Sequence, residues 1–155
     1  MRSIYNKGIT PIEVLVTFAV LGILVMVVLP QFSSLKERQV LKAAYSDALS
    51  AINKSRGDTL ASVNSSEYGV HFQSDKVIIF TGTAYSAGAG SNTEIDIVAP
   101  ASITNVTLGG VSGTSGNLYF SRIYGVPSKT GTIIISTSSY SKTITISSTG
   151  AASVN

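Results

Sequence analysis

The N-terminal part of the chain begins with a long apolar run. Residues 9–29 form a predominantly apolar segment of 21 residues that contains one charged side chain, Glu13. At a rise of ~1.5 Å per residue, an α-helix of this length extends about 31 Å, close to the ~30 Å hydrocarbon core of a bilayer. The pattern therefore predicts a membrane-spanning helix over residues 9–29.

After residue 29 the pattern changes to that of an amphipathic helix. Polar side chains follow from Ser33, and apolar ones then recur at steps of three and four residues, at Leu41, Ala44, Tyr45, Ala48 and Ile52. One apolar stripe on an otherwise polar helix is typical of a helix that packs on the protein's own domain. We expect a continuous helix from about Thr10 to residues 55–62, with the stripe continuing toward Leu60.

From Tyr68 onward the period of the apolar positions changes to two, which predicts β-strands. The predicted strands are Tyr68–Phe72, Lys76–Thr81, Glu94–Val98, Ile103–Leu108, Asn117–Ser121, Thr132–Thr137, Lys142–Ser147 and Ala151–Val154. No helical pattern between them could supply parallel crossovers, so we expect an antiparallel sheet with a mixed edge. The predicted fold class is α+β, with the long N-terminal helix packed on a C-terminal antiparallel sheet.

Glu13 is the residue in the apolar run that requires an explanation. A carboxylate costs on the order of 2.5–3.5 kcal/mol near the membrane centre, and less near the interface. The segment itself contains no cation, so a partner on another molecule is one interpretation. The other is local, because Thr10-Pro11-Ile12-Glu13 is a capping-box pattern in which Glu13 reaches back to the Thr10 N–H.

The N-terminal segment resembles the leader and first helix of type IV pilins and type II secretion pseudopilins. The resemblance is carried by Lys7-Gly8-Ile9-Thr10-Pro11-Ile12-Glu13, by the apolar run and by Pro30. It implies that a prepilin peptidase cuts between Gly8 and Ile9 and methylates the new amine of Ile9. It also implies that Glu13 pairs with the N-terminal amine of a neighbouring subunit, and that Pro30 breaks the helix. Pro11 stands where the family usually has a large apolar residue, but proline fits the first helical turn.

The second half of the chain resembles a narrower class, the pseudopilin H and FimT-type minor pilins. The similarity lies in a helix followed only by strands, in Leu118-Tyr119-Phe120, and in Gly125 and Gly150. The resemblance implies a leader at 1–8, an assembly helix at 9–29, its amphipathic continuation at 30–62 and a β-rich domain at 63–155. It implies a single-pass inner-membrane protein with its leader inside, later part of an extracytoplasmic filament.

The partners that this resemblance implies are prepilin peptidase, other pilin or pseudopilin subunits, an inner-membrane assembly platform and membrane lipid. Three other interpretations remain open. A secretory signal peptide would give a secreted soluble β domain, although its apolar region should be shorter than 9–29. A plain uncleaved anchor explains the span but not the spacing of Gly8 and Glu13. A membrane-anchored module that captures DNA or another polymer is the alternative outside the filament class.

The composition and short motifs of the chain argue against several kinds of chemistry. The chain has no cysteine, so no disulfide can support the outer domain. Removal of Arg2 and Lys7 with a leader would lower the formal side-chain charge from +3 to +1, so the basic balance says little about nucleic acid. Ser33-x-x-Lys36 and Lys129-Thr130-Gly131 match two of three motifs of penicillin-binding enzymes, but Ser-Asp-Asn is absent. We expect no enzymatic activity and no cofactor.

Ligand sites are weakly indicated. His71 is the only histidine and lies in a predicted strand, so we expect it to face solvent or a hydrogen-bond partner and not a metal. Glu94 and Asp96 share a strand face and would offer oxygens to Ca²⁺, although two carboxylates make a weak signal. DNA capture lacks support, because the basic residues of the predicted β-rich domain are scattered along the sequence, at Lys76, Arg122, Lys129 and Lys142.

Overall fold

The computed structural model describes residues 8–155, apart from the side chains of residues 29–31. The chain forms two compact units, one of residues up to Lys36 and one of Glu37–Asn155. Most of the predicted leader, including Arg2 and Lys7, lies outside the described residues. The unit that holds the sheets begins at Glu37 and not at 63, because the amphipathic half of the helix contributes to the same core as the strands.

Helix α1 spans Pro11–Leu60, in agreement with the predicted start near Thr10 and end within 55–62. Pro11 occupies the first helical position, where its missing N–H has no intrahelical acceptor. The Thr10 carbonyl accepts the N–H groups of Glu13 and Val14 at 3.0 and 3.3 Å, which closes the first turn. The chain leaves the helix through a short 3-10 turn at Val63–Ser65.

Position 30 lies inside α1, so the break that the resemblance implies at Pro30 is not an end of the helix. A proline within a helix still removes one backbone hydrogen bond and crowds the carbonyl four residues earlier. The Pro30 side chain lies outside the described side chains. A local break at Pro30 therefore stays a prediction.

The described chain then forms two antiparallel sheets. The strands are β1 (Tyr68–Phe72), β2 (Lys76–Thr81), β3 (Thr93–Asp96), β4 (Ser102–Leu108), β5 (Val111–Gly113), β6 (Gly116–Phe120), β7 (Gly131–Ser136), β8 (Ser141–Ile146) and β9 (Ala152–Val154). Sheet A has the strand order β3-β2-β1-β6, and sheet B has the order β5-β4-β7-β8-β9. The fold class is α+β, with one long N-terminal helix and two antiparallel sheets.

Two expectations about the sheets were wrong. The strands divide between two sheets rather than joining one, and every strand pair of the described chain is antiparallel, so there is no mixed edge. Strand β5 is not among the predicted strands. It is three residues long, wholly exposed and at an edge, so it carries no apolar period that sequence reasoning could detect.

The core of Glu37–Asn155 lies where the second half of α1 meets the inner faces of both sheets. Leu41, Ala44, Ala48 and Ile52 are at most 5% exposed, which confirms the predicted stripe. The stripe does not continue to Leu60, which is 44% exposed. Its continuation is polar: the helix residues that complete the buried face are Ser55 and Thr59.

Ser55 and Thr59 can be buried because the backbone of strand β1 provides hydrogen-bond partners for their hydroxyl groups. The Ser55 hydroxyl donates to the Gly69 carbonyl at 3.2 Å. The Thr59 hydroxyl donates to the Ser55 carbonyl at 2.8 Å and accepts the Tyr68 backbone N–H at 3.0 Å. Each buried polar group thus has a partner, which removes most of the cost of its burial.

Candidate functional site

Gly8 and Ile9 lie before the first turn of α1, and both are exposed. Apart from its chain neighbours, no described atom lies within 4 Å of the position that a Cβ on Gly8 would occupy. A side chain would fit there, so the described fold does not explain why residue 8 is glycine. Gly8 and Ile9 are both exposed, so the described chain leaves the bond between them accessible.

The first part of α1 exposes its apolar side chains on all sides. Ile12, Phe18, Ile23 and Met26 are 65, 70, 65 and 79% exposed. Within the described chain, α1 is the one helix long and apolar enough to cross a membrane. Because apolar surface is stabilised by about 25 cal/mol per Å² when it leaves water, residues 11–28 require lipid or other protein around them.

Glu13 is the charged residue of this segment. Its backbone N–H takes part in the first turn, but its carboxylate has no hydrogen bond or ion pair with any residue that the structure describes. In particular, it does not accept the Thr10 N–H, so the reciprocal bond of a capping box is not formed here. The local interpretation of Glu13 therefore finds no support in the geometry, and the carboxylate is free to meet a cation from outside.

The two motifs that resemble penicillin-binding enzymes lie in different compact units. Ser33 and Lys36 belong to the N-terminal unit, whereas Lys129–Gly131 lies at the start of β7. Gly131 also has a structural reason, because a Cβ at this position would overlap the Thr107 carbonyl of the neighbouring strand β4. The glycine of the triplet is thus explained by close strand packing.

His71 lies on the face of sheet A that points away from the main core. Its ring stacks on Tyr85, with centroids 3.8 Å apart and planes 7° apart. Its Nε2 contacts the Gln73 amide nitrogen at 3.2 Å, and its Nδ1 is buried without a partner among the described residues. Burial lowers the pKa of His71. The expected hydrogen-bond partner is therefore Gln73, and Tyr85 covers the ring.

Glu94 and Asp96 lie on β3, the exposed edge strand of sheet A. Glu94 forms an ion pair with Lys76 at 2.9 Å. The hydrogen bond from Lys76 to Glu94 is the main reason why the pKa of Lys76 is raised, and the charges of Asp75 and Asp96 add to it. Lys76 thus already pairs with one of the two carboxylates, and no group of three His, Cys, Asp or Glu side chains that could hold a metal ion occurs in the described part of the chain.

The four scattered cations lie against different elements. Lys76 pairs with Glu94, Arg122 donates to the Ser65 carbonyl at 2.8 Å, and Lys129 follows β6 near the glycine turn after β4. Lys142 is the exception, because it lies beside two cations of α1 that sequence reasoning did not single out. The basic patch that DNA capture would need is therefore not formed by these four residues.

Lys142 lines a groove between α1 and the start of β8. This cationic groove has a volume of about 280 Å³ and is lined by Arg38, Leu41, Lys42, Tyr45, Tyr140, Ser141 and Lys142. The Arg38 guanidinium lies 4.7 Å from the Tyr140 ring centroid and donates to its hydroxyl at 3.0 Å. None of the lining residues is acidic. Glu37, which precedes Arg38 in the chain, accepts a hydrogen bond from Thr137 at 3.4 Å.

Sequence reasoning missed the groove because its two sides are far apart in the chain. Arg38 and Tyr140 are separated by 102 positions. One signal was present: Arg38, Lys42 and Tyr45 follow each other at steps of four and three residues, which places them on one face of a helix. The pattern could not show that the hairpin formed by β7 and β8 would bring Tyr140 and Lys142 to that face.

Comparison with protein-family models, curated proteins and solved structures found no match.

Proposed function

We propose that this chain is a structural subunit, a minor pilin or pseudopilin, of a type IV pilus or type II secretion-like filament. In this proposal a prepilin peptidase removes residues 1–8 and methylates Ile9. The chain then leaves the inner membrane by packing its N-terminal helix against those of other subunits on an assembly platform. Its sheet domain lies outside the cytoplasmic membrane, on the filament.

The observation that carries the proposal is the lack of a partner for the Glu13 carboxylate among the described residues. This group is the one carboxylate in an otherwise uncharged helix segment that is exposed on every side. A charge in such surroundings is costly in lipid unless a cation neutralises it. The newly formed amine of a neighbouring subunit would be that cation. Gly8, whose lack of a side chain the described fold does not explain, supports a cut that creates the amine.

The mass of the mature N-terminal peptide, taken from native membranes, tests the assignment. We expect a peptide that begins with methylated Ile9 in the wild-type chain. The Gly8→Val chain should retain Met1, because a branched side chain would block the peptidase although the open space around position 8 leaves folding unaffected. A wild-type chain that begins at Met1, or after residue 29, contradicts the filament proposal and leaves a plain anchor or a secreted domain.

Replacing Glu13 tests the assembly step separately from processing. We expect Glu13→Ala to insert and to be cut at Gly8, but to enter filaments at least about tenfold less than the wild type, because the neighbouring amine loses its partner. Incorporation is measured as the share of the chain in sheared filaments. Thr17→Val, one turn further along α1, is the control and should enter normally. Normal incorporation of Glu13→Ala would exclude the charge pair.

A further inference from the structure

The cationic groove combines features that select one kind of ligand. Three cations, Arg38, Lys42 and Lys142, surround an opening with no acidic lining residue, and Leu41 and Tyr45 supply apolar walls. Such a surface attracts an anionic group that is attached to an apolar body. Arg38 is already oriented by its contacts with Tyr140, so less side-chain freedom is lost when it binds.

A second surface of the same unit has the opposite charge. The acidic edge consists of Asp75, in the turn before β2, and Glu94 and Asp96 on β3, and Lys76 lies beside them. These four side chains carry a net charge of −2. Neither Asp75 nor Asp96 has an ion pair within the described residues.

The acidic edge also offers an apolar group and a free strand edge. Val98, two residues beyond Asp96, is 67% exposed. Strand β3 is an outer strand of sheet A, so one side of its backbone has no strand partner within the described chain. Carboxylates with a neighbouring exposed valine form the anionic, partly apolar body that the groove would select.

We propose that the acidic edge of one copy of this chain docks in the cationic groove of the next copy. The two surfaces are different patches of one unit: the groove lies between α1 and β8, and the acidic edge lies on β3 of the other sheet. The contact is therefore heterologous, and it repeats from copy to copy. The inference rests on the proposed function, in the form in which copies of this chain neighbour one another in the filament with the same orientation.

Site-directed crosslinking of the full chain in membranes tests this contact. The natural chain has no cysteine, so introduced cysteines are the only thiols. A chain with Ser141→Cys in the groove and Val98→Cys beside the acidic edge should give a ladder of dimers, trimers and longer multimers with a short bismaleimide. Either single variant should remain monomeric, because a heterologous contact does not bring the same position of two copies together.

Charge reversal in the chain that carries both Ser141→Cys and Val98→Cys tests whether the acidic edge is what occupies the cationic groove. We expect Lys42→Glu with Lys142→Glu to reduce the crosslinked fraction by about tenfold or more. Adding Asp75→Lys with Asp96→Lys to that chain should restore the ladder, which would also show that the charges and not misfolding caused the loss. Lys54→Glu with Lys129→Glu makes the same charge change outside the groove and should leave the ladder intact.

Each remaining outcome overturns the inference. A missing ladder in chains that begin with methylated Ile9 would exclude the contact while leaving the filament function in place. A ladder that survives the groove reversal would exclude the groove. Loss without recovery in the charge-swapped chain would contradict the charge pairing between the groove and the acidic edge. An intact Met1 is the separate result that rejects the filament itself.

Discussion

The two halves of α1 have the same backbone and opposite surroundings. Between Pro11 and residue 28 the large apolar side chains are exposed, with Ile23 at 65%. In the second half, Ile52 is completely buried beneath the sheets. The polar groups differ in the same way: the Glu13 carboxylate has no partner among the described residues, whereas Ser55 and Thr59 are buried and hydrogen-bonded.

The difference shows that a segment of this chain can form a helix without packing against the rest of the described chain. Apart from the hydrogen bond that Pro30 cannot donate, the interior backbone groups of a helix are satisfied internally, so either half can be helical in lipid or in protein. Within the described chain, only the second half packs its apolar side chains against other elements. The first half forms the same helix and leaves its apolar side chains exposed.

The largest effect on stability is expected from a cavity in the buried half. Ile52→Ala should lower the free energy of unfolding of the sheet domain by about 2–5 kcal/mol, because Ile52 is fully enclosed. The same change at Ile23 should alter it by less than about 0.5 kcal/mol. Denaturant unfolding of the detergent-solubilised full chain, followed by the β-sheet circular dichroism signal, measures both. Equal losses in the two variants would contradict the contrast between the halves.

A hydroxyl in each half provides a second matched pair. Thr59→Val should cost about 1–3 kcal/mol, because the buried Tyr68 N–H would lose its acceptor. The Thr17 hydroxyl donates to the Val14 carbonyl at 2.7 Å within its own helix and is exposed. Thr17→Val should leave the unfolding of the sheet domain unchanged in the same measurement. A loss of less than about 0.5 kcal/mol for Thr59→Val would mean that β1 does not depend on this bond.

The helix and most strands could be predicted because each is a local pattern. The long apolar run, the stripe from Leu41 to Ile52 and the alternation within β7 and β8 all appear in short windows. The predicted strands Thr132–Thr137 and Lys142–Ser147 form a hairpin, in which Ile133 pairs with Ile144 and both are buried. Where an element lacked an apolar period, as in β5, prediction failed.

The division into two sheets and the cationic groove could not be predicted, because both depend on contacts between distant residues. Whether β4 pairs with β7 or with a strand of sheet A is decided by packing across the core and not by any single strand. Ser55 and Thr59 were missed for a related reason. Their polar side chains interrupt the apolar stripe, and only the position of β1 shows that burial is compatible with their hydroxyls. Gly8, Ile9 and Glu13 were singled out by a motif, and their roles in processing (Gly8 and Ile9) and in the assembly charge pair (Glu13) stay predictions.

The smallest expected effect concerns a buried polar atom that, unlike the Thr59 hydroxyl, has no partner among the described residues. His71 Nδ1 is enclosed beneath Tyr85, and burial lowers the pKa of His71 below its ordinary value of 6.5. The unfolded chain therefore binds a proton at a higher pH than the folded chain does. Folding stability should be unaffected by His71 well above pH 6.5, and should fall as the pH drops below 6.5 toward the lowered pKa.

The variant His71→Phe isolates this titration, because it keeps an aromatic ring against Tyr85 and removes the group that binds the proton. As the pH falls from about 7.5 to about 5, we expect the wild type to lose unfolding free energy relative to His71→Phe. Taking the difference cancels the titrations that both chains share. A difference that stays constant over this range would show that the folded and unfolded chains bind the His71 proton equally. Water would then have to reach the charged ring on the outer face of sheet A. That face would be exposed like the first half of α1, and not enclosed like the second half.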